Sequence, residues 1–250
     1  MAQLIPSITG KPTDQWVNHY FIKAMDTVLA TPYGILANDA YQTQRIDEII
    51  SQPFEEIIID NCAYSIFKGY LDASPIERFK AQIRLAKMCK KAKKVTVVVP
   101  DFVQEYEKTK FTYELLEGMM KGIDHDRIRL MYVLQGDFKQ MVDLYRYIQT
   151  LPFPADIAIA TQERRQRKNI EQIRGLLKSI DRRTHLFGET RKWVLDMLGE
   201  YADSYDTSIH FWNNWKAGHR GQKLFENIAA DIAGALSSNY FKFDALKHLI

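Results

Sequence analysis

Short runs of β-branched and other apolar residues recur along the chain, and most of them end in polar residues. Three of them read EEIIIDNCAY, KVTVVVPD and RIRLMYVLQG, over residues 55–64, 94–101 and 127–136. Three later runs read ADIAIATQ, RRTHLFG and DSYDTSIH, over residues 155–162, 182–188 and 203–210. Continuous apolar runs of this length are typical of strands that are buried on both faces. The pattern therefore predicts a parallel β-sheet.

Helix-like segments separate these runs, so the chain alternates between strand and helix. The predicted helices cover residues 41–51, 75–93, 106–122, 138–150, 168–180, 190–201 and 222–239. Ser74 followed by Pro75 is a typical helix start, with a capping hydroxyl before a proline in the first turn. With one more strand expected within 27–36, the alternation favours an α/β fold, a TIM-like (β/α)8 barrel. An eighth strand is not evident, since the chain after Gly221 looks helical, and a doubly wound open sheet is the alternative.

Composition bounds the size and the setting of this fold. With 250 residues, 46% of them hydrophobic, the chain can bury one large core, and we expect one barrel domain over residues 1–250. Cys62 and Cys89 lack a paired spacing, which argues against a zinc site and fits a reducing compartment. The net charge of +3 permits a polyanionic partner without requiring one. No apolar run suits a membrane span and no signal-peptide core is present, so we expect a cytoplasmic protein without membrane contact.

The polar residues at the strand ends are the candidate catalytic groups. In a parallel barrel the carboxyl ends of the strands meet at one rim, so Asp60, Asp101, Gln135 and Asp206 would lie together. A carboxylate that follows three isoleucines is partly desolvated, which suits a general base. Asp206 lies among hydroxyl residues that can orient it, as a nucleophilic aspartate needs. For each of the three aspartates, a cap for the following segment is the alternative interpretation.

Further groups at the same rim could bind a polar ring and phosphates. Gln135 and Gly136 offer an amide and an open backbone to the edge of a ring, although a Gln-Gly pair by itself is more often a turn. Cations near aromatic residues such as Trp212 and Trp215 can hold phosphates and stack bases. His185 lies inside a strand run and is interpreted as a core or wall residue. The basic residues that follow the fifth and seventh predicted strands are Arg164, Arg165, Arg167, Lys168, Lys216 and Arg220.

Taken together, the strand ends resemble those of the guanine transglycosylase superfamily, barrel enzymes that exchange guanine in nucleic acid for a 7-deazaguanine. IIIDNCAYS resembles the segment in which an aspartate precedes small residues and an aromatic, VVVPDF the strand whose aspartate reads the base, and VLQGD a glutamine–glycine signature. IAIAT resembles the glycine-rich strand of the family, THLFG its Leu-Met-Gly turn, and ADSYDTS its nucleophile strand. The order and spacing agree over about residues 60–208.

The resemblance implies a role for each of these positions. Asp206 would attack the anomeric carbon of the sugar as guanine leaves, and Asp60 would exchange a proton with the base. Asp101 and Gln135 would read the guanine edge, while Tyr64 and Phe187 would enclose the purine plane. The implied base-binding set is Asp101, Gln135, Gly136, Tyr64, Phe187, Ala160 and Thr161. The six basic residues would hold the nucleic acid. No metal and no cofactor are expected, a free 7-deazaguanine base is the second substrate, and a homodimer stays open.

The chain departs from the family pattern at points that bear on its substrate. The zinc subdomain of tRNA-acting relatives is absent, Asn61-Cys62 stands where a glycine is expected, and Ala160-Thr161 replaces paired glycines. The compact, zinc-free form resembles the DNA-acting branch found in bacterial and phage DNA modification. The expected activity is therefore that of a DNA-guanine transglycosylase, a pentosyltransferase, working in the cytoplasm (the host cytoplasm if a phage encodes it). The alternatives are a tRNA-acting relative, a non-catalytic nucleic-acid-binding barrel subunit, and an unrelated barrel enzyme for a small phosphorylated substrate.

Overall fold

The described residues form one sheet of parallel β-strands that curls into a nearly closed barrel. The computed structural model describes residues 3–6, 27–39, 43, 46–47, 50–160, 170–188 and 192–207. Neighbouring strands are parallel and follow the order β1-β8-β7-β6-β5-β4-β3-β2. The two edge strands, β1 and β2, also lie beside each other, with Cα atoms within 8 Å. The strands are β1 (Gln3–Pro6), β2 (Thr27–Ala30), β3 (Glu56–Ile59), β4 (Lys94–Val98), β5 (Ile128–Leu134), β6 (Ala155–Ala160), β7 (Thr184–Phe187) and β8 (Ser204–Thr207).

The strand order confirms the predicted TIM-like (β/α)8 barrel over the doubly wound alternative. From β2 to β8 the order in space follows the order in the chain, whereas a doubly wound sheet reverses its order at a switch point. The eighth strand, which is not evident in the sequence, is β1, and it pairs with β8 in parallel from the other end of the chain. The sequence analysis missed β1 because four residues ending in a proline carry no periodic signal.

Helices connect the strands on the outside of the barrel. From β3 onward, each pair of consecutive strands is joined by a segment that contains at least one helix. Within the predicted helix 41–51, the described residues Thr43, Ile46, Asp47 and Ile50 are helical, whereas the predicted helix 222–239 lies outside the described residues. In the described part of the chain, no helix has the length and apolarity needed to cross a bilayer. The helices are α1 (Tyr33–Leu36), α2 (Ala63–Phe67), α3 (Pro75–Met88), α4 (Tyr106–Met120), α5 (Phe138–Gln149), α6 (Ile170–Ser179) and α7 (Lys192–Leu198), which a 3-10 turn (Gly199–Tyr201) extends.

Successive strand residues belong to two separate apolar clusters. Ile57 and Ile59 pack in the outer cluster, between the sheet and the helices, whereas Ile58 packs in the inner cluster, which consists of strand residues. Neighbouring side chains of a strand point to opposite faces, and all three isoleucines are fully buried. Burying one such side chain stabilises the fold by about 1.5–3 kcal/mol. The continuous apolar runs of the sequence thus correspond to strands that are covered on both faces.

Helix α3 begins as predicted but ends before the predicted residue 93. Ser74 Oγ accepts a hydrogen bond from Glu77 N at 3.3 Å, and Glu77 Oε2 accepts one from Ser74 N at 2.8 Å, which completes a capping box. The helix stops at Met88, since Cys89 leaves the helical conformation with ψ of 55°. Lys93 N donates to Phe54 O at 3.0 Å and so leads the chain into β4. The helix start is therefore local in origin, whereas the helix end depends on the neighbouring strand.

Candidate active site

The carboxyl ends of the strands bring Asp60, Asp101, Gln135 and Asp206 together at one mouth of the barrel. Gln135 Nε2 donates to Asp101 Oδ2 at 2.5 Å, which joins the ends of β4 and β5. The negative charges of Asp206 and Asp101 both raise the pKa of Asp60, so the three carboxyl groups are near one another. The structure thus groups these four side chains as the strand pattern predicts.

Asp60 follows directly after β3 and is the half-buried acid of the group. Burial raises the pKa of its carboxyl group to about 6, and the charges of Asp206 and Asp101 add to the rise. The backbone N–H groups of Asn61 and Cys62 oppose the shift, with Cys62 N donating to Asp60 Oδ2 at 3.3 Å. A carboxyl group with a pKa close to neutrality can both donate and accept a proton during a reaction.

The turn after Asp60 ties the end of β3 to the end of β4. Asn61 Nδ2 donates to Val99 O at 2.9 Å and to Asp101 Oδ1 at 2.5 Å, and Asn61 Oδ1 accepts from Ala63 N at 2.7 Å. Cys62 has φ of 60°, a left-handed conformation that glycine adopts without strain. The family resemblance implies a glycine after Asp60, and Asn61 at this position instead links the two strand ends through its side chain.

Both carboxylate oxygens of Asp101 are engaged by amides. Asn61 contacts Oδ1 and Gln135 contacts Oδ2, and these hydrogen bonds oppose the rise in the pKa of Asp101 that its burial causes. Gln135 Oε1 accepts from Gln104 N at 3.2 Å, which sets the direction of its amide. Because an amide nitrogen carries two hydrogens, Gln135 keeps a second donor for a ligand.

Two buried polar residues of α3 brace the mouth from behind. Arg78 Nη1 donates to Asp101 O at 3.1 Å and to Asn61 O at 3.3 Å. Gln82 Nε2 donates to Val98 O at 2.6 Å and also reaches the carbonyl oxygens of Ile59 and Asp60, at 3.2 and 3.1 Å. The sequence analysis did not single these residues out. Their spacing of four on a helix that packs on the barrel was the available signal.

Asp206 is held through one carboxylate oxygen. Gly188 N donates to Asp206 Oδ1 at 2.8 Å, and His185 Nε2 lies 3.2 Å from the same oxygen. His185 Nδ1 lies 2.9 Å from Ser204 Oγ, its register partner on β8. In the tautomer with its hydrogen on Nε2, His185 donates to Asp206 and accepts from Ser204. Both contacts use Oδ1, and Oδ2 has no hydrogen-bond partner among the described residues.

His185 is fully buried, as expected for a core residue, but its contact with Asp206 was not foreseen. Its ring also packs edge-on against Phe187, with centroids 4.6 Å apart. The pairing joins residues from two strands, and no local motif announces it. A polar residue inside an otherwise apolar strand run was the signal that could have drawn attention to it.

The remaining predicted site residues differ in how the structure places them. Tyr64 is exposed on α2, and Ala160 is half-buried at the end of β6. Gly136 has φ of +94°, which L side chains rarely adopt, and a Cβ atom there would lie 2.9 Å from Gln140 Cβ, so backbone conformation and packing explain a glycine at this position. Its predicted contact with a base remains a prediction. The predicted residues that lie outside the described part of the chain are Thr161, Arg164, Arg165, Arg167, Lys168, Lys216 and Arg220.

A cavity of about 860 Å³ lies apart from this mouth. It is formed between α3 and α4, where Ile83 and Met119 are among its lining residues, and it reaches Ile128 at the start of β5. None of the predicted site residues lines it. The chemistry suggested by the sequence therefore belongs to the mouth and not to this cavity.

Comparison with known proteins supports the fold alone. No protein-family model matches the chain, and no curated protein matches it. Among solved structures, a similar one is a protein from Coccidioides immitis that is described as a candidate fructose-1,6-biphosphate aldolase. It is 12% identical in sequence, the match covers 95% of this chain and 90% of that chain, and the TM-score is 0.58. At this identity the similarity shows a shared barrel architecture.

Proposed function

We propose that the protein is a DNA-guanine transglycosylase, which replaces guanine in DNA by a 7-deazaguanine such as 7-cyano-7-deazaguanine. The observation that best supports this proposal is the combination at one mouth of an acid with a pKa of about 6, Asp60, and an aspartate held by one oxygen, Asp206. One residue would transfer protons and the other would attack carbon. The resemblance of the strand-end motifs to the guanine transglycosylase superfamily supports the choice of substrate.

The first half of the reaction would release guanine. Asp206 Oδ2 attacks C1′ of the deoxyribose while the bond between C1′ and N9 breaks, and its electron pair stays with the base. Asp60, in its protonated form, donates a proton to the departing guanine. A covalent glycosyl ester on Asp206 then holds the DNA strand, as expected for nucleophilic catalysis by a carboxylate.

The second half would insert the new base. The Asp60 carboxylate accepts the N9 proton of the 7-deazaguanine as N9 attacks C1′, and the bond from C1′ to Asp206 Oδ2 breaks. Two displacements at the same carbon retain its configuration. A pKa of about 6 suits Asp60 to both steps, since both of its protonation states are populated near neutral pH.

Asp101 and Gln135 carry groups that match the edge of guanine. The Asp101 carboxylate can accept hydrogen bonds from N1–H and the exocyclic amine, and the second amide hydrogen of Gln135 can be donated to the exocyclic carbonyl. A 7-deazaguanine has the same hydrogen-bonding edge, so Asp101 and Gln135 could bind both the leaving and the entering base. The target nucleotide would have to leave the DNA stack to reach them.

Gly188 and His185 would stabilise Asp206 as the leaving group of the second step. When the glycosyl ester breaks, negative charge returns to the carboxylate, and the donors on Oδ1 are already in place at 2.8 and 3.2 Å. Preorganised donors of this kind act on charge as it develops in the transition state. His185 would thus be a positioning residue for the nucleophile.

The test is to incubate the purified protein with radiolabelled 7-cyano-7-deazaguanine and guanine-containing duplex DNA, single-stranded DNA or tRNA. We expect label in DNA, and release of an equal amount of guanine. Label in tRNA alone would favour the tRNA-acting alternative. Binding of DNA without label in any nucleic acid would contradict the proposal and favour a non-catalytic subunit.

A further inference from the structure

An exposed group of aromatic residues lies next to the candidate active site. Tyr64, Phe67 and Tyr70 are 57%, 48% and 70% exposed, and they follow Asp60 closely in the chain. We call these three residues together with Lys68 the aromatic patch. Because α2 starts just after the end of β3, the patch lies at the rim of the mouth. Large aromatic side chains on a surface are costly to hydrate, and a cluster of them indicates an interaction site.

The patch combines ring faces with a cation. The ring centroids of Tyr64 and Phe67 are 6.5 Å apart with their planes inclined by 37°. Lys68 Nζ lies 5.4 Å from the centroid of each ring. Among the described residues, Lys68 has no acidic partner within ion-pair distance, so its charge is available to an anion. Ring faces beside an unpaired cation are the groups that bind single-stranded nucleic acid, in which bases stack and phosphates are neutralised.

The backbone holds this patch in a defined shape. Gly69 N donates to Ile66 O and Tyr70 N donates to Ser65 O, both at 2.9 Å. Gly69 has φ of +69°, and Tyr33 Oη donates to Tyr70 O at 3.3 Å. A surface that is ordered before its ligand arrives loses little conformational entropy on binding. The patch is therefore preformed for a ligand.

We propose that the aromatic patch binds unpaired bases that flank the nucleotide entering the mouth. The proposal names a second contact surface for the substrate and rests on the proposed function for the identity of that strand. The patch follows Asp60 closely in the chain and lies at the same rim of the barrel. Bases stacked on it would therefore hold the opened strand beside the reacting sugar. The occupant is a single-stranded segment of nucleic acid, since each nucleotide offers a ring face for the aromatic side chains and a phosphate for Lys68.

The test uses a fluorescein-labelled 12-nucleotide oligothymidylate, which contains no guanine and cannot take part in exchange. Affinity is measured by anisotropy over a range of salt concentrations. We expect the double variant Phe67→Ala/Tyr70→Ala to bind about 10-fold or more weakly than the wild type, because stacked bases are lost. Lys68→Ala should reduce the slope of log K against log salt by about 0.7, the value for one phosphate contact on a single strand. Tyr64 stays unchanged in both variants because the family resemblance also gives it a role against the purine plane, so its removal would affect the exchange reaction as well.

The control is Phe111→Ala, which removes an aromatic residue that is 65% exposed on α4 and lies outside the patch. It should bind oligothymidylate as the wild type does. Equal affinity of the wild type and the double variant would overturn the proposal, as would a wild type that does not bind at low salt. Loss of self-association in the double variant with unchanged oligonucleotide affinity would assign the patch to a protein contact instead.

The outcome is separate from that of the proposed function. Binding that depends on the aromatic patch, without exchange of guanine, would reject the transglycosylase activity and support the patch as a binding surface. Exchange of guanine with oligothymidylate binding that does not depend on the patch would support the activity and reject the binding surface. Melting temperatures of all variants show whether they are folded. Should the double variant unfold, Lys68→Glu, which reverses the charge of an exposed side chain, must still weaken binding by more than Lys68→Ala does.

Discussion

At the amino ends of the strands, Glu56 Oε1 lies 2.5 Å from Arg183 Nη1 and 3.4 Å from Lys94 Nζ. At the carboxyl ends, Asp60 follows the same strand but lies near the carboxylates of Asp206 and Asp101. Burial alone would raise the pKa of both acids. The hydrogen bond and charge of Arg183 nevertheless hold the pKa of Glu56 below its ordinary value, while the pKa of Asp60 rises to about 6.

The difference shows that position along one strand decides what an acid can do. At the amino end, the cations of Arg129 and Arg183 also lie 2.8 and 3.7 Å from Asp156, a fully buried acid whose pKa burial still raises. Such a network holds strands together. At the carboxyl end, the described residues next to the carboxylates are mainly amides and other acids, and Arg78 donates to backbone carbonyl oxygens, so negative charge there is less compensated. Barrel enzymes hold their chemistry at this second end.

The largest effect that we expect is the loss of exchange activity on removing the proposed nucleophile at the mouth. Asp206→Asn should lower exchange on the order of 10⁴-fold or more, as removal of other covalent nucleophiles does. It should also abolish a protein–DNA adduct on a denaturing gel when the incoming base is withheld. Asp126→Asn, a change of an exposed aspartate at the other end, is the control. Wild-type exchange by Asp206→Asn would remove this residue from the mechanism.

The next effect concerns stability at the amino ends. Arg183→Met leaves Glu56 and Asp156 without their shared cation, and we expect a loss of about 3 kcal/mol in the free energy of unfolding. Exchange per folded molecule should be unchanged. Lys93→Met breaks an exposed pair with Glu55 and should cost about 0–1 kcal/mol. Urea denaturation measures both values. Equal stability of the two variants would contradict a structural role for the buried network.

A smaller effect is expected for His185, the proposed positioning residue of Asp206. His185→Phe keeps a ring but removes the donor to Asp206 Oδ1, so kcat should fall by about 10- to 100-fold, the value of one hydrogen bond to a charged group. KM should change little. His185→Gln retains a donor and should recover part of the loss. If both variants lose activity equally, with equal losses in melting temperature, the residue serves packing alone.

The smallest effect is a pH dependence of opposite sign at the two ends. The folded-state pKa of Asp60 is raised from its ordinary value of 3.8 to about 6, so its contribution to stability is lost as pH rises through this window. Glu56 has a lowered pKa, so its contribution is lost as pH falls through and below its ordinary value of 4.5. The stability of Asp60→Asn minus that of the wild type should therefore be greater at pH 8 than at pH 4.

Glu56→Gln should show the reverse trend, with its deficit relative to the wild type greatest at pH 8 and reduced at pH 3. Thermal unfolding of both variants and the wild type from pH 3 to pH 8 measures this contrast. Parallel curves for the two variants would show that the two ends do not differ in their electrostatics.

The strands from β3 to β7 could be predicted because they carry apolar residues that are covered on both faces, whereas β8, with Tyr205 as its one apolar residue, follows from the alternation of strands and helices. The start of α3 could be predicted because Ser74, Pro75 and Glu77 make their contacts within one turn. β1 could not, since four residues form a strand there through pairing with β8. The same holds for the contact of His185 with Asp206, which depends on the register of β7 and β8.

The sequence by itself determined the parallel α/β alternation and which polar residues end the strands. A strand that is buried on both faces needs a continuous run of apolar residues, and such a run can be recognised in the sequence. The tertiary structure decided which groups those residues meet. Asn61 reaches Asp101 across 40 positions and His185 reaches Asp206 across 21. Strand register and closure of the barrel bring these residues into contact. Both are properties of the packed chain, and no single segment of the sequence determines them.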